Sequence, residues 1–192
     1  MQFSLDRPFP RPAGGYGYNQ HHLTGKLASR ACSVAALANV LVYEVEELLD
    51  SDAENPEEWL LRLARLLRPK IYGVPTMRTF MRGARRAGAR YGLSLEPFLY
   101  RGPFDAQSVA RFIAEGLTAN HPVLLLTWNH KESLFRYHWL TITAIATEGQ
   151  DFRLTVSTWG RKREVLLSQY LSSKSRYRRL FYLVPVPMPR RD

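Results

Sequence analysis

The sequence predicts an α+β fold in which an N-terminal helical half packs on a C-terminal antiparallel sheet. Up to about residue 120, apolar residues recur at the spacing of amphipathic helices. After His121 and Pro122 the pattern changes to continuous or alternating apolar runs separated by turn residues, which is typical of strands. Helices that precede the strands, rather than alternating with them, favour two layers around one core.

The composition is that of one globular domain. Of the 192 residues, 45% are hydrophobic and 12% aromatic, which excludes a disordered chain. The single cysteine excludes an internal disulfide framework and a thiolate zinc cluster. No apolar run approaches the ~18 residues of a membrane span and residues 1–8 contain no secretory signal, so we expect a cytoplasmic protein. We divide the domain, residues 1–192, into an arm (1–28), a mainly helical half (29–120) and a sheet half (121–187).

The arm is rich in proline, glycine and tyrosine, so we expect it to be irregular and to lie over the domain surface. Near its end stands the sequence Asn19-Gln20-His21-His22. Paired histidines can bind a metal, but no third ligand lies at a useful spacing from these two. We therefore predict no metal site.

The only cysteine, Cys32, is predicted to lie in the first turn of the central helix, with Ser29 as the N-cap. The positive end of the helix macrodipole favours a thiolate there, and unpaired backbone N–H groups can hold a negative oxygen beside the sulfur. We therefore expect a nucleophile whose pKa lies below the usual value of about 8.5. An inert thiol fits the same pattern, because burial raises a thiol pKa. The apolar stripe that predicts the helix consists of Val34, Leu37, Ala38, Leu41, Val45 and Leu48.

Three further helices are predicted before residue 120. The first follows Asn55 and Pro56, which suit the N-cap and the first helical position. The second covers about residues 76–90, and Asp105 caps the third.

The second of these helices carries a stripe of arginines in a chain whose net charge is +10. Such a stripe can bind an anionic partner such as nucleic acid or another phosphate-bearing molecule. A solvated basic face fits the same residues, and no RNA-binding signature or aromatic-interleaved basic motif accompanies them. The stripe consists of Arg78, Arg82, Arg85, Arg86 and Arg90.

The sheet half is predicted to begin with a continuous apolar run over residues 123–128, as in a buried strand. Glu148-Gly149-Gln150-Asp151 predicts a hairpin turn. A short helix is predicted to begin at Ser168. The remaining strands are predicted at residues 135–145, 152–156, 163–166 and 180–186.

A catalytic thiol needs a base, a group that orients the base, and donors for an oxyanion. His138 lies in a predicted strand and, by alternation, on the core-facing side with Leu140. Ser157 and Thr158 end the next strand and can reach the imidazole, while Trp159 can cover that hydrogen bond from water. A histidine that faces the core is, by itself, more often a structural residue.

The order of these motifs resembles the papain-like cysteine peptidase superfamily, and is most similar to its short bacterial members that process bacteriocins at double-glycine sites. The resemblance covers about residues 19–171 and rests on a cysteine that opens the central helix, a histidine that opens a strand, and a Trp-Gly turn one strand later. The matching segments are Cys32-Ser33-Val34-Ala35-Ala36-Leu37-Ala38-Asn39-Val40-Leu41, Pro122-Val123, His138-Trp139-Leu140 and Trp159-Gly160.

The resemblance implies that Cys32 is the nucleophile and His138 the general base. Ser157 stands where the family has an orienting Asn or Asp, which is a departure from the pattern. Gln20 would be the oxyanion residue, although it lies 12 positions before Cys32, so the intervening loop would have to bulge.

The activity implied is that of a cysteine-dependent hydrolase or acyltransferase acting on a peptide or another amide or ester bond, with no cofactor. Two alternatives stay open. One is a papain-like binding module whose turnover has been weakened by the serine at position 157. The other is a basic nucleic-acid or phosphate-binding protein.

Overall fold

An antiparallel sheet separates two groups of helices. The structure is a computed structural model that describes residues 1–45, 48, 55–175 and 177–189. It confirms the α+β class, with Cys32 at the start of a helix that packs on a largely C-terminal antiparallel sheet. The helices are α1 Gly25–Ala28, α2 Cys32–Glu44, α3 Pro56–Leu67, α4 Met77–Ala89, α5 Ala106–Thr118 and α6 Leu167–Leu171. The strands are β1 Gln2–Ser4, β2 Leu93–Leu99, β3 Val123–Thr127, β4 His138–Glu148, β5 Asp151–Thr158, β6 Arg161–Leu166 and β7 Arg178–Pro187.

The sheet has the strand order β2-β7-β3-β4-β5-β6, and its neighbouring strands are antiparallel. β1 also pairs with β4, beyond the end of its pairing with β3. The register opposes Thr127 to His138 and Ser157 to Thr141. β4 is therefore central, and it begins with the candidate base.

Both faces of the sheet are covered, so the expectation of two layers around one core is wrong. Helices α2 and α4 pack on one face, against Leu124, Leu126 and Trp139, and α3 packs against these two helices. Helices α5 and α6 pack on the other face, against Leu125 and Leu140. The physical reason lies in β3, whose continuous apolar sequence is buried at every position and supplies side chains to both cores.

Two strands lie where none was predicted. β1 belongs to the arm that we expected to be irregular, and β2 belongs to the predicted helical half. β2 contains Pro97, which argues against a central strand because proline has no N–H to donate. The strand lies at the edge of the sheet, where such a residue is tolerated.

Two of the three N-caps predicted from the sequence are confirmed. Asn55 accepts from Glu58 N at 3.2 Å and Asp105 from Ser108 N at 2.8 Å, as predicted. Ser29 is not the N-cap of α2, because α1 comes immediately before it and the Ser29 hydroxyl donates to Lys26 O. The cap is Ala31, whose side chain makes no capping bond, so the first N–H groups of α2 receive no capping side chain.

The aromatic core under α4 provides a stability test with an internal control. Phe80 is fully buried and stacks on Trp139 at 4.4 Å between ring centroids, whereas Phe98 on β2 is 53% exposed. We expect Phe80→Ala to lower the free energy of unfolding by about 3–5 kcal/mol because it leaves a cavity. Phe98→Ala should lower it by less than about 1.5 kcal/mol, mainly through its stacking on Tyr182. Urea unfolding measures both, and equal losses would contradict this assignment of the core.

Candidate active site

Four residues singled out in the sequence line one small cavity at the end of the sheet. They are Cys32, His138, Ser157 and Gln20. The cavity has a volume of about 10 Å³, which is room for about one water molecule. The fold thus brings together side chains that lie up to 137 positions apart in the chain.

Cys32 is the first residue of α2, and its thiol is free. Its sulfur interacts with the backbone N–H groups of Trp139, Ser33 and Cys32 itself. Trp139 follows His138 in β4, so the thiol lies against the strand segment that carries the candidate base. Backbone N–H groups from a helix start and from a strand therefore meet at the sulfur.

Burial raises the pKa of the Cys32 thiol, and the hydrogen bonds from the backbone N–H groups of Trp139, Ser33 and Cys32 offset only part of this effect. The expectation that the thiol pKa lies below its usual value is therefore wrong, because burial outweighs the lowering effect of the N–H groups at the helix start. The macrodipole supplies only partial charges, whereas burial removes the hydration of a full negative charge.

His138 is 7% exposed, and burial lowers its pKa to about 4. The Nε2 atom lies 2.8 Å from Thr158 Oγ1. The Trp159 ring stacks on the imidazole, with 4.7 Å between centroids and 29° between planes. At neutral pH the ring is uncharged, and Nε2 donates to or accepts from the Thr158 hydroxyl according to the tautomer.

The two aromatic residues beside this histidine have unusual backbones. Tyr137 has φ +52° and Trp159 has φ +49°, which is the left-handed region that bulky residues rarely adopt. Each such residue costs of order 1–3 kcal/mol and persists only where surrounding contacts enforce it. The strained pair places one ring over His138 and leaves the other, Tyr137, 61% exposed beside it.

Ser157, expected to orient the imidazole, bonds elsewhere. Its hydroxyl donates to Tyr16 O at 2.7 Å and accepts from Asn39 Nδ2 at 3.4 Å. Successive residues of a strand point to opposite faces, so Ser157 is directed toward α2 while Thr158 contacts the histidine. Both hydroxyls were candidates in the sequence, and the strand register decides between them.

Gln20 reaches the cavity because the 12-residue interval before Cys32 is folded. It begins a 3-10 turn, Gln20–His22, and α1 follows. Its side chain is 8% exposed. Within residues 1–45 and the other described segments, its amide has no hydrogen-bond partner and can therefore donate to a substrate oxygen.

A larger groove that the sequence did not predict begins at the same cysteine. It has a volume of about 760 Å³ and is mainly apolar. One wall is the tight turn that Lys70 and Gly73 close by two backbone hydrogen bonds of 2.9 Å. The turn presents Ile71 and Tyr72, which are 70% and 89% exposed, and such apolar exposure is typical of a binding surface. The other lining residues include Arg30, Trp128, Tyr137 and Trp139.

The five arginines of the stripe on α4 are exposed. Arg85 lies 3.9 Å from Glu96, which is a weak contact between exposed side chains. Among the residues that the structure describes, no group of three or more His, Cys, Asp or Glu side chains could hold a metal ion. No helix in those segments has the length and apolar character needed to cross a membrane.

Comparison with known proteins finds no family that matches the chain and no matching curated protein. The chemistry of the site must therefore be argued from its geometry. A thiol, a neutral imidazole held by a hydroxyl, and unpaired N–H donors are the components of nucleophilic acyl transfer. That is the class of reaction for which this arrangement is suited.

The lowered pKa of His138 predicts a pH-dependent loss of stability. Between the unfolded value of 6.5 and the folded value of about 4, the unfolded chain binds a proton that the folded chain does not. The fold is therefore destabilised as pH falls through this window, by about 2 kcal/mol at pH 5, with almost no effect above pH 7. In urea unfolding, His138→Gln should shrink the stability difference between pH 7 and pH 5 by about that amount. The exposed His21→Gln serves as the control, and an unchanged difference in His138→Gln would contradict the assignment.

Proposed function

We propose that this protein is a cysteine-dependent hydrolase or acyltransferase with a papain-like fold, acting on a peptide or another amide or ester bond. The observation that carries the proposal is the shared cavity of Cys32, His138 and Gln20, with the imidazole held by Thr158 and covered by Trp159. The order of the segments also resembles the papain-like peptidases, which supports the same class of reaction.

In the first step, His138 Nδ1 takes the thiol proton while Cys32 Sγ attacks the carbonyl carbon of the substrate. A C–S bond forms, and the electron pair of the carbonyl moves to its oxygen. In this proposal the backbone N–H groups at the start of α2 and the Gln20 amide, which lines the same cavity, stabilise that oxyanion. The leaving amine or alcohol then takes the proton from His138, and an acyl thioester remains.

In the second step, His138 removes a proton from water or from an acceptor amine, which attacks the thioester carbonyl. The C–S bond breaks, and the proton returns to the sulfur, so the site is restored without a cofactor. Water gives hydrolysis and an amine gives transfer.

The resting site is a neutral thiol beside a neutral imidazole, because burial disfavours the charged form of both groups. Proton transfer and attack on the carbonyl therefore occur together. A threonine hydroxyl can accept a hydrogen bond from Nε2–H or donate one to an unprotonated Nε2. Only the first arrangement leaves Nδ1 free to act as the base, so Thr158 selects the productive tautomer less strictly than a carboxylate would.

The groove beside Cys32 favours a substrate that carries an apolar group on the acyl side of the reacting bond, because the groove can bind that group. Its volume of about 760 Å³ is within the range of small-ligand sites, and most of its lining is aromatic or aliphatic.

Hydrolysis of p-nitrophenyl hexanoate tests the catalytic assignment. We expect Cys32→Ala to abolish turnover and His138→Ala to reduce kcat by about 10³-fold or more. Thr158→Val should reduce kcat by about ten- to a hundredfold, because the ring loses the group that orients it. Thr155→Val on the same strand does not alter the cavity lining and should have little effect. An inactive parent across ester and peptide panels, with Cys32 still open to alkylation, would overturn the proposal in favour of a binding module.

Acyl-chain length tests the groove. Each buried methylene contributes about 0.8 kcal/mol, or roughly fourfold, so the parent should prefer the hexanoyl ester to the acetyl ester in kcat/KM. Tyr72→Ser and Tyr137→Ser should each reduce this preference several-fold. Phe98→Ser removes a comparably exposed aromatic ring that lies outside the groove and should not change it. Equal preferences in all four proteins would show that the groove does not bind the acyl group.

A further inference from the structure

We propose that Asn39 and Ser157 are positioning residues, which clamp the N-terminal arm to the sheet and thereby hold Gln20 beside Cys32. The proposal rests on the proposed function for the role of Gln20 as an oxyanion donor. The contacts that form the clamp do not depend on that role.

The first component is the buried amide of Asn39 on α2, which is 2% exposed. Its Oδ1 atom accepts from Tyr18 N at 2.6 Å. Because a backbone N–H can only donate, this bond fixes the orientation of the amide. The Nδ2 atom must then face the two hydroxyls, donating to Thr141 Oγ1 at 3.2 Å and to Ser157 Oγ at 3.4 Å.

The second component is the single hydroxyl proton of Ser157. Its Oγ atom already accepts from Asn39, and the proton is donated to Tyr16 O, which can only accept. Ser157 therefore has no proton left for the imidazole. Two hydrogen bonds therefore attach the arm, one from Ser157 of β5 to Tyr16 O and one from Tyr18 N to Asn39 of α2.

Between these two links the arm approaches the sheet at Gly17. This residue has φ +74°, and a Cβ atom built there would overlap Ser157 Oγ and lie 2.7 Å from Asn39 Oδ1. Only glycine satisfies both the backbone angle and the lack of space. The same proximity accounts for a serine at position 157, because a longer asparagine side chain there would meet the arm.

The turn after β5 supports the arm a second time, next to Gln20. Asn19 caps the 3-10 turn of Gln20 by accepting from His21 N at 3.0 Å. A Cβ atom at Gly160, which has φ +69°, would lie 2.8 Å from the Cβ of Asn19. The segment from Ser157 to Gly160 therefore touches the arm on both sides of Tyr18 and sets where Gln20 begins.

Two neighbouring residues therefore position the two functional groups of the site, where a single orienting residue would otherwise be expected. Thr158 holds the imidazole, and Ser157, through the arm, holds the oxyanion donor. Removal of Ser157 should then affect the reaction through Gln20 and leave the pairing of Cys32 with His138 intact.

A double-mutant cycle on p-nitrophenyl hexanoate hydrolysis tests this. Gln20→Ala should lower kcat by about 10²-fold, as for the loss of an oxyanion donor, and Ser157→Ala by about tenfold, with KM changed less than threefold in both. If Ser157 acts through Gln20, the double variant should be no slower than Gln20→Ala alone. The pH profile of Cys32 alkylation should shift in Thr158→Val and stay unchanged in Ser157→Ala. Multiplying effects in the double variant, or a shifted profile in Ser157→Ala, would overturn the proposal.

Amide hydrogen exchange tests the clamp without reference to activity. Ser157→Ala and Asn39→Ala should each increase exchange at Tyr18 N–H at least tenfold relative to amides in β3. Asp105→Ala, which removes an exposed helix cap outside the cavity, should leave Tyr18 protected. Unchanged protection in Ser157→Ala would overturn the clamp. An inactive parent with increased exchange would overturn the proposed function and the oxyanion role while supporting the clamp.

Discussion

The buried amide of Asn39 is the interaction on which the arrangement of the site depends. It is a polar group within α2, a helix whose other buried residues are almost all apolar and impose no unique rotation or register. Any displacement of α2 along the sheet would break the hydrogen bonds that the Asn39 amide makes with Tyr18 N–H and with the Ser157 hydroxyl in a dry interior, at about 1–3 kcal/mol for each buried group left without a partner. A buried polar residue of this kind specifies one packing arrangement rather than adding much net stability.

Burial stabilises the packing of α2 on the sheet but disfavours the charged forms of the candidate catalytic groups. The apolar contacts that hold α2 against β4 also remove water from the thiol and the imidazole, and so favour their neutral forms. The site compensates with dipoles rather than charges, through backbone N–H groups at the sulfur and a hydroxyl at the imidazole. Such fixed dipoles stabilise charge that develops during a reaction without holding a charged resting state.

The parts of the fold that local patterns determine could be predicted from the sequence. The helix that follows Cys32, the Asn55 cap and the apolar run of β3 each depend on neighbouring residues, and each is present. The predicted apolar stripe is only partly found, because α2 is buried at every position from Ser33 to Tyr43 and ends before Val45. The side of the sheet that each helix covers depends on contacts between distant segments, so the second core under α5 was missed. The same holds for the division of roles between Ser157 and Thr158, which strand register decides, and for the groove wall at Ile71 and Tyr72, which no periodic pattern marks.

The candidate catalytic groups share one property, which is that each stands where regular structure begins or ends. Cys32 begins α2, His138 begins β4, Gln20 begins a 3-10 turn and Thr158 ends β5. At a helix start the backbone has unpaired N–H groups, and at the end of a strand a side chain can leave the face that alternation would assign to it. Leu140 packs under α5, on the face of the sheet opposite α2, and alternation would place His138 on that face too. Because His138 is the first residue of its strand, its side chain can instead line a cavity with Cys32. Trp139 comes directly after His138 in β4, and Asn39 comes seven positions after Cys32 in α2. These two buried residues hold the start of the strand and the start of the helix in place.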